Sequence, residues 1–220
     1  MKKTLIKVCC ISTLTEAIIA LEAGADLLGL VSEMPSGPGV ISLENIAKIT
    51  SALPPGTKTV LLTSRLTSQG IQDQHKLANT WGIQIVDALP IGELKTLRKA
   101  LPKIRLFQVV HVHDKSSITE ALGYEHFVDF ILLDSGNPHA ALKTLGGTGE
   151  THDWTYSREI CLRSNLPVFL AGGLNPNNIS EANNTVRPHG FDLCSGVRTG
   201  GYLDPEKLAK FMALVHVPTG

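Results

Sequence analysis

Two cysteines stand side by side at the end of an apolar run, in "KVCC" (Lys7 to Cys10), in a chain with only 4 cysteines. A cysteine can pair into a disulfide, ligate a metal, fill a small gap in a core, or act through its thiolate. Neighbouring residues of a strand point to opposite faces, so Cys9 and Cys10 are poorly placed to bridge each other. Cys161 and Cys194 stand alone, without C-x-x-C spacing, and no metal site is expected. Asp134 closes the run "FILLD", where an aspartate serves either as a proton donor or as a plain loop anchor. His111 and His113 share one face of "VVHVH", and no third ligand accompanies them to make a metal site. Three glycine-rich turns, "LGGTGE" (145–150), "AGGLNP" (171–176) and "CSGVRTGG" (194–201), come late in the chain. Such turns let backbone amides approach an anion, and a helix start just beyond one adds a favourable dipole. The plain alternative is that the glycines only make tight bends.

The elements that must position these residues alternate regularly. Strands are expected over 4–10, 25–31, 57–63, 82–88, 104–112, 127–134, 166–172 and 190–196. Helices are expected over 13–24, 42–53, 68–81, 92–101, 116–123, 153–164, 175–185 and 204–215, with Gly24 as a C-terminal stop and Ser42 as an N-cap. Alternation of this kind implies parallel pairing with right-handed helical crossovers. Eight units close most naturally into an α/β fold of the (β/α)8 barrel type, occupying 1–220 as one domain. An open doubly wound sheet is disfavoured because no G-x-G-x-x-G opens the first helix. In a barrel, ligands meet the C-terminal ends of the strands, and the loops after strands seven and eight are the usual phosphate grip. "AGGLNP" and "CSGV" fall there, which points to a phosphate monoester. Alternation along the first strand turns Leu5, Lys7 and Cys9 inward and sends Cys10, with Ile6 and Val8, toward the helices as a packing residue.

Composition narrows the classes of function. Hydrophobic residues make up 43% of 220, and 20 Lys plus Arg balance 20 Asp plus Glu. A globular chain without net charge is not expected to seek nucleic acid or an anionic membrane broadly. The N-terminus reads as no signal peptide and no run is long enough to span a bilayer, so a cytoplasmic, reducing setting is expected, where disulfides are rare.

"KVCCIS", "LLDSG", "GGTGETHDW", "LAGGLNPNNISEA" and "FDLCSGV" occur in this order over nearly the whole chain, which resembles phosphoribosylanthranilate isomerase. That family carries out the Amadori rearrangement of tryptophan synthesis. The resemblance implies Cys9 as general base, Asp134 as general acid, and Asp192 against the ribose part of the substrate. It implies a phosphate grip by Gly172, Gly173, Ser195 and Gly196, with Gly147 joining from "GGTG" in the loop after strand six. Lys7, on the same strand face as Cys9, is expected near the substrate, where its charge would lower the thiol pKa. Asp87 and His111, at the ends of strands four and five, complete the expected substrate-binding set. The expected partner is a small phosphorylated sugar, with no cofactor, and the chain is expected to be a monomer or homodimer.

Two departures touch the aryl half of the site. Gly39 stands where the family has an arginine for the anthranilate carboxylate, and Asp87 stands at a histidine position. Losing a bidentate arginine costs a strong charge-assisted contact, and Arg65 is the nearest replacement cation in sequence. Three functions therefore stay open: the isomerase itself, a related isomerase of another phosphosugar, and a non-catalytic barrel that binds a phosphate ligand.

Overall fold

The computed structural model describes residues 3–136 and 152–215. Eight parallel strands close into a barrel in sequence order: β1 (Leu5–Val8), β2 (Leu27–Val31), β3 (Thr59–Thr63), β4 (Gly82–Ile85), β5 (Arg105–His111), β6 (Phe130–Asp134), β7 (Val168–Leu170) and β8 (Gly190–Leu193). Most are continuous apolar runs buried on both faces, as parallel strands beneath helices must be. Eight helices follow the strands: α1 (Leu14–Glu22), α2 (Leu43–Ala52), α3 (Ser68–Ala78), α4 (Ile91–Ala100), α5 (Ser116–Gly123), α6 (Trp154–Arg163), α7 (Ile179–Val186) and α8 (Pro205–Val215). The side chains of Thr13, Ser42, Thr67 and Asp153 accept hydrogen bonds from the first-turn amides of α1, α2, α3 and α6, so these helices begin where a cap is available.

The apolar core has two layers. Ile6, Val8, Leu28 and Leu30 face outward and pack with the inner faces of the helices. Val60, Phe107, Leu132 and Phe169 fill the barrel itself. Phe107 and Phe130 stack with centroids 4.3 Å apart, and Phe169 meets Phe107 edge-on at 5.7 Å. A Cβ at Gly190 would lie 2.5 Å from the Phe169 ring, so that glycine makes room for the aromatic filling. The aromatic rings occupy the early parts of β5, β6 and β7 and leave the opposite end of the barrel for polar groups.

The strand ends differ from the expected spans where the backbone turns left-handed. β1 stops at Val8 rather than residue 10, and Cys10 has φ 63°. Alternation fails there, so Cys10 does not face the helices with Ile6 and Val8; it joins Cys9 in the inner cluster. β7 likewise ends at Leu170, because Gly172 (φ 84°) and Gly173 (φ 62°) have already begun the turn. Asn79, at φ 49°, stops α3 before residue 81. Among the described residues, no helix is long and apolar enough to cross a membrane.

Candidate active site

The parallel register places Lys7 of β1 beside Asp192 of β8. Lys7 Nζ donates to both carboxylate oxygens at 2.9 Å, with Lys7 fully buried and Asp192 8% exposed. A buried charge survives only with such a partner. Burial opposes the charge on Lys7, but Asp192, followed by Cys9, raises its pKa and keeps it an ammonium. Lys7 does not line the cavity; it sits behind Asp192, which does. Its ammonium reaches the pocket through Asp192.

Cys9 and Asp134 line the same pocket, together with Gly172, Gly173 and Ser195 of the turns after β7 and β8. Their environments act in opposite directions. Hydrogen bonding by the neighbouring Cys10 thiol lowers the Cys9 pKa from 9.0; burial resists this, and the Lys7 ammonium adds to the lowering. Burial raises the Asp134 pKa above 3.8, against the Ser135 amide, which donates to Oδ1 at 2.8 Å, and against Lys7. A thiol biased toward thiolate and a carboxyl biased toward its acid form thus share one cavity.

The turns after β7 and β8 are packed into each other. A Cβ on Gly196 would lie 1.9 Å from the Leu174 carbonyl oxygen, and one on Gly172 would lie 2.6 Å from Ser135 Oγ. Both glycines therefore have a packing duty, whatever they bind. Ser195 and Gly196 open a short 3₁₀ turn (Ser195–Val197), so their amides precede its first internal hydrogen bond and are left for another acceptor. Gly147 lies outside the described residues.

Asp87 and His111 come to the same barrel mouth but line a second cavity over β4 and β5, along with His113. His111 is paired in register with Asp134 across β5 and β6, and its Nε2 lies 3.2 Å from the Val86 carbonyl. Arg65 is taken up by Glu33 at 3.1 Å in an exposed pair, apart from the pocket lining. Gly39 has φ 76°, and a Cβ there would lie 2.6 Å from Cys10 Cβ, so the left-handed Cys10 leaves room only for glycine. The pocket wall nearest this segment is apolar, with Val31, Met34, Pro38 and Leu62.

Gly29, in the middle of β2, was not singled out by its sequence context. A Cβ at this position would sit 2.9 Å from Lys7 Nζ and 3.0 Å from Cys9 Sγ. Its missing side chain is what admits both groups to one level of the barrel. The available signal was a glycine inside an otherwise continuous apolar strand, which marks a close approach.

Comparison with known proteins agrees with this geometry. The family model of N-(5'-phosphoribosyl)anthranilate (PRA) isomerase matches residues 6–213. The N-(5'-phosphoribosyl)anthranilate isomerase of Methanocella arvoryzae is 34% identical over 213 residues, covering 97% of this chain and 95% of that protein. That of Haloferax volcanii is 33% identical, covering 99% and 95%. The crystal structure of phosphoribosyl anthranilate isomerase from Thermotoga maritima superposes with a TM-score of 0.83 at 29% identity, covering 96% of this chain and 98% of that one. A crystal structure of such an isomerase in complex with reduced 1-(o-carboxyphenylamino)-1-deoxyribulose 5-phosphate gives 0.80 at 27% identity, covering 96% and 98%. With the barrel, the paired glycine turns and a family match over residues 6–213 in agreement, this chain belongs to the N-(5'-phosphoribosyl)anthranilate isomerase family.

Proposed function

We propose that the chain isomerises N-(5'-phosphoribosyl)anthranilate, with Asp134 as general acid and Cys9 as general base. The substrate's phosphate lies in the turns after β7 and β8, against the amides of Ser195 and Gly196 and the backbone of Gly172 and Gly173. Asp134 delivers its proton to the ribose ring oxygen as the bond from that oxygen to C1′ breaks, leaving an open-chain iminium. The Cys9 thiolate then removes the proton from C2′, and the electron pair of that C–H bond neutralises the iminium. The resulting enaminol tautomerises to the aminoketose. Asp192, held by Lys7, accepts hydrogen bonds from ribose hydroxyls in this reading. The observation that carries this reading is the presence of Cys9 and Asp134 in one pocket, with pKa values displaced toward each other.

The test is turnover of phosphoribosylanthranilate generated in situ and followed by loss of its fluorescence. Conversion saturating with substrate is expected. No conversion by folded protein would reject the named substrate. The apolar wall at Val31, Met34 and Leu62 favours one second reading, an isomerase whose aryl group carries no carboxylate. Turnover of the phosphoribosyl conjugate of aniline at a rate above that of the anthranilate conjugate would support it.

A further inference from the structure

β1 ends at Val8, yet the next two residues are buried, and their carbonyl groups still need partners. Both are met by one side chain. Arg198, just after the 3₁₀ turn that follows β8, donates through one guanidinium nitrogen to Cys9 O at 3.1 Å and to Cys10 O at 2.6 Å. The other terminal nitrogen donates to Glu16 Oε1 at 2.9 Å and to Gly201 O at 3.0 Å. Glu16 in turn accepts from the Ser12 amide and hydroxyl and from the Leu203 amide. The side chains of Arg198 and Glu16 are each only 8% exposed, so the fork is fixed on both sides.

From this arrangement we infer that Arg198 is a positioning residue for the reaction. It grips the carbonyls of the two peptides that flank the Cys10 Cα, holds Cys10 in its left-handed conformation, and so sets where the Cys9 thiol stands relative to the phosphate turn. The Cys9 amide is already fixed to Leu193 O at 2.7 Å, so β8 and its loop hold Cys9 at both its amide and its carbonyl. A non-glycine residue at φ 63° costs of order 1–3 kcal/mol unless its surroundings enforce it. Arg198 on one side and Gly39 on the other do so. A point charge such as lysine cannot span three carbonyls and a carboxylate as the planar fork does.

The inference rests on Cys9 being the base, so the experiment separates the two. Arg198→Met, Arg198→Lys and Cys9→Ser are assayed for kcat and KM, with folding followed by circular dichroism. In Arg198→Met, kcat is expected to fall about 100-fold, the cost of a base misplaced by about 1 Å, while KM changes less than about 3-fold because the phosphate turn keeps its glycines. Arg198→Lys should recover part of the loss in kcat. A folded Arg198→Met with wild-type kcat, or one whose entire defect is in KM, would overturn the inference. If the methionine variant does not fold, a wild-type kcat in Arg198→Lys would overturn it and a selective loss of kcat would support it. Full turnover by Cys9→Ser would remove the base assignment and this inference with it. An inactive Cys9→Ser beside a fully active Arg198→Met would remove only the role of Arg198.

Discussion

In the proposed mechanism Cys9 and Asp134 carry opposite requirements: the thiol must lose its proton and the carboxyl must keep one. Activity therefore rises with pH as Cys9 ionises and falls as Asp134 ionises. The Cys9 shift moves the thiolate to lower pH than a free thiol allows, and the Asp134 shift carries the acid form to higher pH than a free carboxyl allows. Both enlarge the population that has thiolate and acid together. A bell-shaped profile of kcat/KM is expected, its two limbs belonging to the pair as a whole. Lys7 contributes to the shift at Cys9 and to the fold. Lys7→Met should raise the pH midpoint of Cys9 alkylation, and it should cost about 3–5 kcal/mol in denaturant unfolding by stranding buried Asp192. An unchanged alkylation midpoint would dismiss the electrostatic role of Lys7. Gly29→Ala is a further check at this scale. Its new Cβ would press on both Lys7 Nζ and Cys9 Sγ, so kcat should fall at least about 10-fold and stability by about 1–3 kcal/mol.

At the scale of elements, the turns after β7 and β8 behave as one unit, because Gly196 packs against the Leu174 carbonyl. Gly196→Ala must separate them, and KM for the phosphosugar should rise about 10-fold or more, with kcat less affected; an unchanged KM would remove the phosphate from these turns. The order of the elements was legible because most strands are apolar runs and several helices carry a side-chain cap. The glycine-rich turns at the barrel mouth were legible because glycine pairs fall after the seventh and eighth strands. Cys10 was not. Its left-handed backbone arises from Arg198, far away in sequence, and from the space Gly39 leaves, and neither contact has a local signature. For the same reason Gly39 reads in sequence only as a missing arginine, whereas in the fold it is the residue that Cys10 requires. Arg65 shows the reverse: a cation close in sequence to the site is already engaged by Glu33.

At the scale of the whole molecule, the closed barrel divides its interior between an aromatic filling and a polar end. The buried Lys7–Asp192 pair lies at the boundary and joins the first strand to the last. A ligand that bridges the β1 end, Asp134 and the turns after β7 and β8 ties the closing seam further. A reduced carboxyphenylamino-deoxyribulose phosphate at 100 times its Kd should therefore stabilise the chain by about 2.7 kcal/mol, read as a rise in thermal midpoint. Inorganic phosphate at the same concentration should raise the midpoint less. Equal shifts would mean that the aryl and ribose parts contribute nothing.

The most direct test of the acid–base assignment is single-turnover conversion of phosphoribosylanthranilate by Cys9→Ser and Asp134→Asn, beside the unsubstituted chain and with binding of the reduced product analogue measured in each. Conversion should fall by at least about 100-fold in both variants, the scale of a lost general acid or base, while the analogue still binds. Conversion at the unsubstituted rate by either variant would contradict the assignment of that residue.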